Sequence, residues 1–113
     1  MRVSLKGYGE QLVTMEASDK VTAGMPVKME ANGVVAPCGK GEVICGVAVN
    51  VRDGLAAVQL AGYVTLPYTG AAPVVGYCTL CGAGDGSIQT DAAGRSLLVT
   101  DVDTAASVCG VIL

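Results

Sequence analysis

An all-β fold, a small β-barrel or β-sandwich of short antiparallel strands, is the architecture this sequence predicts. Three observations carry it. Sixteen of the 113 residues are glycine, about twice the average share, and glycine supplies the positive-φ positions that tight turns need. Between the glycines lie short runs rich in Val, Leu and Ile, the composition of strands. No segment sustains apolar residues at i, i+3 and i+4, the signature of an amphipathic helix.

Element by element, Leu12–Glu16 alternates weakly. Val27–Glu30 follows Pro26, and Asn32-Gly33 turns directly into Val34–Ala36. Asn-Gly between apolar runs favours a type I′ hairpin, which requires φ > 0 at both central residues. Pro37–Gly41 reads as a loop, and Val43–Val51 as a long strand with valines at 47, 49 and 51. Arg52-Asp53-Gly54 is a second hairpin turn, and Leu55–Leu60 returns from it. Gly62–Tyr68 follows, then a loop at Thr69–Pro73. Val74–Cys81, Ser87–Thr90, Leu97–Val102 and Ser107–Leu113 complete the strands. Thr104–Ala106 has room for one helical turn. Frequent turns between short strands indicate a small barrel or sandwich.

The order of these elements admits an internal repeat, in which Ala23–Val35 lies over Val75–Ile88 and Val43–Leu60 over Ser96–Leu113. The plainer account is that β-hairpins resemble one another. At 113 residues the expectation is an N-terminal arm, residues 1–10, and a single all-β domain, residues 11–113.

Composition excludes several functions. Net charge is −3, and Arg2, Lys6, Lys20, Lys28, Lys40, Arg52 and Arg95 are scattered. This is no footprint for phosphates, so neither nucleic acid nor an anionic membrane is an expected partner. No run approaches a membrane span of about 20 apolar residues. Met1–Lys6 lacks the apolar run of a signal peptide, which predicts a cytoplasmic chain with reduced cysteines.

With no His, the commonest general base is missing. Most of the carboxylates fall in turn positions; Asp101 and Asp103 are spaced to share one face of a strand. An enzyme is not expected, and no catalytic residue is assigned. Cys78 and Cys81 form a C-x-x-C, and with Cys38, Cys45 and Cys109 could offer zinc a ligand set. On a strand, however, positions i and i+3 point to opposite faces. The five cysteines therefore read as small core residues, with no metal and no cofactor. Gly82–Gly86 precedes no helix and reads as a turn rather than a phosphate loop.

Met25–Glu30, followed by Val34–Pro37, is similar to the hairpin of biotinyl and lipoyl carrier domains, with Lys28 as the attachment point. Val27 stands where that pattern has Met, and the turn chemistry lies at Asn32-Gly33 rather than at Lys28. Tyr63, Tyr68 and Tyr77 gather around Pro67–Pro73. They suit either a protein contact or plugs at the barrel ends.

Ser18-Asp19-Lys20-Val21-Thr22-Ala23-Gly24-Met25-Pro26-Val27 resembles the opening of a family of small phage capsid decoration (cement, head-stabilising) proteins. Gly46-Val47-Ala48, the turn containing Gly54, and Ala57–Pro67 continue the likeness, as do Gly76 and Tyr77 before a strand. It spans roughly Ser18 to Ile88; the cysteines and the chain beyond Thr90 lie outside it. The resemblance implies a structural protein of the virion, assembled in the bacterial host cytoplasm. Its implied partner is the phage major capsid protein, and it is expected to self-associate, a trimer being favoured. The arm and the aromatic-proline cluster would supply the contacts: Met1, Arg2, Val3, Tyr8, Tyr63, Pro67 and Tyr68. A β-barrel module of a phage tail or baseplate would share the same sequence features.

Overall fold

The computed structural model describes residues 4–113. Ten strands form two groups of five. The first group holds β1 (Gln11–Ala17), β2 (Pro26–Ala31), β3 (Val34–Pro37), β4 (Gly46–Arg52) and β5 (Leu55–Ala61). It closes into a barrel in the order β1-β3-β2-β4-β5. The second holds β6 (Tyr63–Pro67), β7 (Gly76–Gly82), β8 (Ile88–Thr90), β9 (Arg95–Asp103) and β10 (Val108–Ile112), in the order β6-β10-β9-β7-β8. Pairing is antiparallel except where β1 meets β3, at Glu16–Val34 and Ala17–Val35.

The two halves are built alike. Each strand pair of the first half recurs five strands later, the β1–β5 and β4–β5 registers returning in β6–β10 and β9–β10, while β7–β8 is shifted by two residues, pairing Ile88 with Gly82 where Val35 pairs with Met29. Val13–Val58 and Met15–Ala56 correspond to Val64–Val111 and Leu66–Cys109. Both long hairpins carry a bulge at the same point, skipping Val49 in one and Thr100 in the other. The parallel contact also recurs, reduced to one bridge, Tyr68–Ile88, with the Thr69 N–H donating to the Ile88 carbonyl at 2.8 Å. The sequence overlay of Leu55–Leu60 on Val108–Leu113 keeps this register. The strand before it is displaced by two residues, because Asp103 pairs with Val108 across a longer turn than the one joining Arg52 to Leu55.

One difference from the sequence reading has a long-range cause. Residues 43–45 are loop, and Gly46 opens the strand. The segment 38–45 leaves its own barrel and crosses to the other half. Ile44 and Cys38, with Val47, enter a core made of Leu66, Leu80, Ile88, Leu97, Val99, Cys109 and Val111. The crossing is fixed by the Gly41 N–H donating to the Gly82 carbonyl at 2.9 Å and the Gly82 N–H donating to the Glu42 carbonyl at 3.0 Å. A Cβ on Gly82 would lie 2.7 Å from the Gly39 carbonyl oxygen, so the close approach requires glycine. Residues 104–106 form a turn, not a helix; Asp103 accepts the N–H groups of Ala105 and Ala106 there.

The first barrel has a smaller core of Val21, Val27, Val35, Ala48, Ala56 and Val58. Without Phe or Trp, both cores gain volume from many branched side chains. Gln59, buried at the junction, donates from Nε2 to the carbonyls of Ala61 (3.1 Å) and Tyr63 (2.9 Å). That satisfies a side chain which would otherwise be costly to bury.

Candidate interaction surface

Before β1, the chain makes tight turns, with the Tyr8 N–H donating to the Leu5 carbonyl at 3.0 Å. The Tyr8 side chain is exposed. Its backbone rests on Gly62, where a Cβ would stand 2.6 Å from the Tyr8 oxygen. The Tyr8 backbone thus lies beside Gly62, at the junction of the halves. Met1, Arg2 and Val3 lie outside the described residues.

Tyr63 is half-buried. Its hydroxyl donates to Asp101 Oδ1 at 3.1 Å, and its ring fills the space over Gly110. Burial first, then the Asp101 carboxylate, holds the phenol above its ordinary range, which keeps it a donor. Asp101 also accepts the Thr100 hydroxyl at 2.7 Å. Its carboxylate thus secures a bulged strand rather than facing solvent beside Asp103. Pro67 is exposed at the far end of β6, some 14 Å away at about 3.4 Å per residue. Tyr68 is half-buried against the second core. Tyr63 and the Pro67-Tyr68 pair thus lie at opposite ends of β6 and its continuation.

The most exposed apolar stretch is elsewhere. Val74, Val75 and Tyr77 are 74%, 64% and 79% exposed at the entry to β7. Counted between the matched pairings Ala17–Val35 and Tyr68–Ile88 on one side and Pro26–Val47 and Tyr77–Leu98 on the other, their counterparts in the first half are Ala23, Gly24 and Pro26. Ala23 and Gly24 are small and exposed, and Pro26 is buried. The turn does not need large apolar side chains, so their presence in one half only is the signal that a sequence overlay of the halves offers.

Lys28 lies within β2 and not at the hairpin tip. Its Nζ is 2.6 Å from Glu42 Oε2, and Glu42 Oε1 accepts the Gly39 N–H at 2.7 Å. The shared hydrogen bond raises the lysine and, with the Gly39 N–H, lowers the carboxyl from its ordinary value of 4.5. Asp85 is lowered by Ser87 and Thr69. A carboxyl depressed in the folded state contributes stability above its unfolded pKa and loses it as pH falls through the folded value. The urea midpoint is therefore expected to fall below about pH 4.5, and Glu42→Gln to flatten that acid limb in part, leaving the share of Asp85. Identical pH profiles for variant and wild type would remove Glu42 from this role.

Cys38, Cys81 and Cys109 are buried; Cys45 and Cys78 are half-buried. Among the described residues no three His, Cys, Asp or Glu side chains are grouped as a metal site. Cys78 packs against the second core, whereas Cys81 Sγ accepts from Gln89 Nε2 at 3.7 Å and lies as far from Asp91 Oδ2. The pair diverges as strand geometry dictates. Burial pushes the Cys109 thiol up to about 11, leaving almost no reactive thiolate in mildly alkaline buffer. Iodoacetamide is expected to label Cys38, Cys81 and Cys109 only on unfolding, read by peptide mass mapping. Labelling of Cys109 in the native protein at the rate of a free thiol would contradict this packing.

An open depression lined by Thr14, Asn50, Arg52, Asp53, Leu55, Ala56 and Ala57 lies beside the β4–β5 turn. Its charged pair, Arg52 and Asp53, stands 4.0 Å apart and is almost fully in solvent, where attraction is weak. Compared with protein-family models and with curated proteins, the chain gives no match.

Proposed function

We propose that the chain is a capsid decoration protein of a tailed phage or prophage. In this reading it binds the outer head surface through the major capsid protein and stabilises the coat lattice. The observation that carries the reading is the Ser18–Val27 segment and the strand-and-glycine pattern after it. The fold gives that pattern a physical reason. Val21 and Val27 are buried in the first core, and Gly24 turns the chain at φ +91°, which an L side chain resists. A low-charge β-domain of this kind needs no substrate pocket. It needs surfaces for its own copies, a trimer being favoured, and for a repeating shell, where many weak sites act together.

Lys28 bears on the carrier alternative. A carrier lysine must reach outward from a turn, and this one is paired with Glu42 in mid-strand. An intact denatured mass equal to the sequence mass would retire that alternative; an adduct on Lys28 would favour it over decoration. A tail or baseplate module shares the fold and differs in its partner. The decoration role is tested by heating DNA-filled heads with and without the chain. Retention of DNA to higher temperature with it supports the reading, and equal release temperatures count against it.

A further inference from the structure

The chain has two asparagines, Asn32 and Asn50, and their backbone surroundings differ. Asn50 lies inside β4, paired with Ala57. The residue after it is Val51, whose branched side chain crowds its own backbone nitrogen. Asn32 stands exposed at the tip of the β2–β3 hairpin and is followed by Gly33, also exposed. Nothing lies within 4 Å of the place a Gly33 Cβ would take. The ladder is irregular there, with a register shift between Met29 and Ala31. Among the described residues no backbone carbonyl accepts the Gly33 N–H.

The same turn closes the first barrel. β1 meets β3 at Glu16–Val34 and Ala17–Val35. The Gly33 carbonyl accepts the Glu16 N–H at 2.9 Å, the Gly54 carbonyl accepts the Ala17 N–H at 2.9 Å, and the Val35 carbonyl accepts the Ser18 N–H at 3.0 Å. The end of β1 is therefore held by the tips of two hairpins and by one residue of β3. The first of these holds belongs to the residue directly after Asn32.

We propose that Asn32 is a site of spontaneous deamidation in the folded chain, and that its isoaspartyl product loosens the β1–β3 seam. The Gly33 backbone nitrogen attacks Cγ of the Asn32 side chain, closing a succinimide ring. The Gly33 proton ends on the departing amide, which leaves as ammonia. Water then opens the ring. Attack at Cγ restores the ordinary backbone with an aspartyl side chain. Attack at the main-chain carbonyl leaves isoaspartate, whose backbone runs through Cβ and Cγ and is longer by one methylene. Glycine has no side chain to obstruct the first step, and asparagine is among the thermolabile residues. Either product adds one negative charge to a net of −3, in a stretch where Glu30 is already exposed. Only isoaspartate moves the Gly33 carbonyl away from the Glu16 N–H.

The test uses the full folded chain, and no readout depends on what the chain binds. The protein is held in mildly alkaline buffer at physiological temperature, beside the same chain unfolded in urea, and its peptides are mapped by mass. Conversion is expected at Asn32, to a mixture of the two products, and not at Asn50. Asn32→Gln would have to close a larger and slower ring, so it is expected to fold as the wild type and stay unmodified. The isoaspartyl form is then purified, and amide exchange is followed by NMR. Its Glu16 amide is expected to exchange about tenfold faster than in the fresh protein, the scale of one lost hydrogen bond. Asn32→Asp supplies the charge without the longer backbone and is expected to exchange at the wild-type rate. Asn32 left intact in the folded chain once the unfolded chain has converted would overturn the site, as would equal conversion at Asn50. Wild-type exchange at Glu16 in the isoaspartyl form would overturn the loosening of the seam.

Discussion

Leu80→Ala is expected to cost about 2–5 kcal/mol, whereas Met29→Ala, the same change at the equivalent place in the other half, is expected to cost no more than about 0.5 kcal/mol. Counted through their pairing with β4 and β9, Pro26 and Tyr77 are counterparts, and three residues further on Met29 and Leu80 share a position in β2 and β7. Leu80 is fully buried in the second core and Met29 is 46% exposed. Truncating Leu80 removes apolar contacts and leaves a cavity that strands paired on both sides of β7 cannot collapse to fill. Domains of this size have about 5–15 kcal/mol of stability in all, so the loss is a large share of it. Urea unfolding of both variants reads the difference directly. Equal midpoints would mean that the second half is not packed around β7 as described.

Gly94→Ala is expected to destabilise by about 1–3 kcal/mol through overpacking, without any φ penalty. An added Cβ would stand 2.6 Å from the carbonyl carbon and oxygen of Leu80 and 2.8 Å from its amide nitrogen. These are backbone atoms in a strand held on both sides, so they cannot yield as a flexible side chain would. Gly33, at the β2–β3 turn, is the opposite case. Its φ is +71° and nothing lies near its missing Cβ, so only the left-handed backbone costs energy. Asn tolerates that conformation. Gly33→Asn is therefore expected to keep nearly all the stability in a thermal melt, and Gly94→Asn to lose at least as much as Gly94→Ala. Comparable losses at both sites would contradict the close approach at Gly94.

The strands were legible in the sequence because turn chemistry punctuates them. Asp53-Gly54 turns with positive φ at both residues, the type I′ pattern, whereas at Asn32-Gly33 only Gly33 has positive φ, so that turn is not the type I′ its Asn-Gly pair predicts; the runs joined are still β2 with β3 and β4 with β5. The start of β4 was not legible. Val43-Ile44-Cys45 has a strand's composition, but those residues are drawn across to the other half, where Ile44 is worth more in the second core than in its own ladder. Local propensity carries no information about that long-range gain. The parallel contact of β1 with β3 was hidden for the same reason, since it depends on barrel closure and not on any short pattern. Of the expected contact residues, Tyr8 was readable as outside the strands because it precedes the strand pattern. The fate of Tyr63 depends on Asp101, 38 residues away, and no spacing rule links the two. Val74 and Val75 read as the start of a strand, and their exposure shows only when the halves are laid over each other.

The role on a phage head is tested most directly by co-sedimentation. Expanded heads of the phage or prophage proposed as the source of this chain, assembled without it, are mixed with increasing amounts of the purified protein and pelleted. Saturable binding at a fixed number of copies per coat subunit, retained on washing, is expected. Protein that stays in the supernatant at every concentration, while an intact mass and a cooperative melt show it folded and unmodified, would contradict the decoration reading.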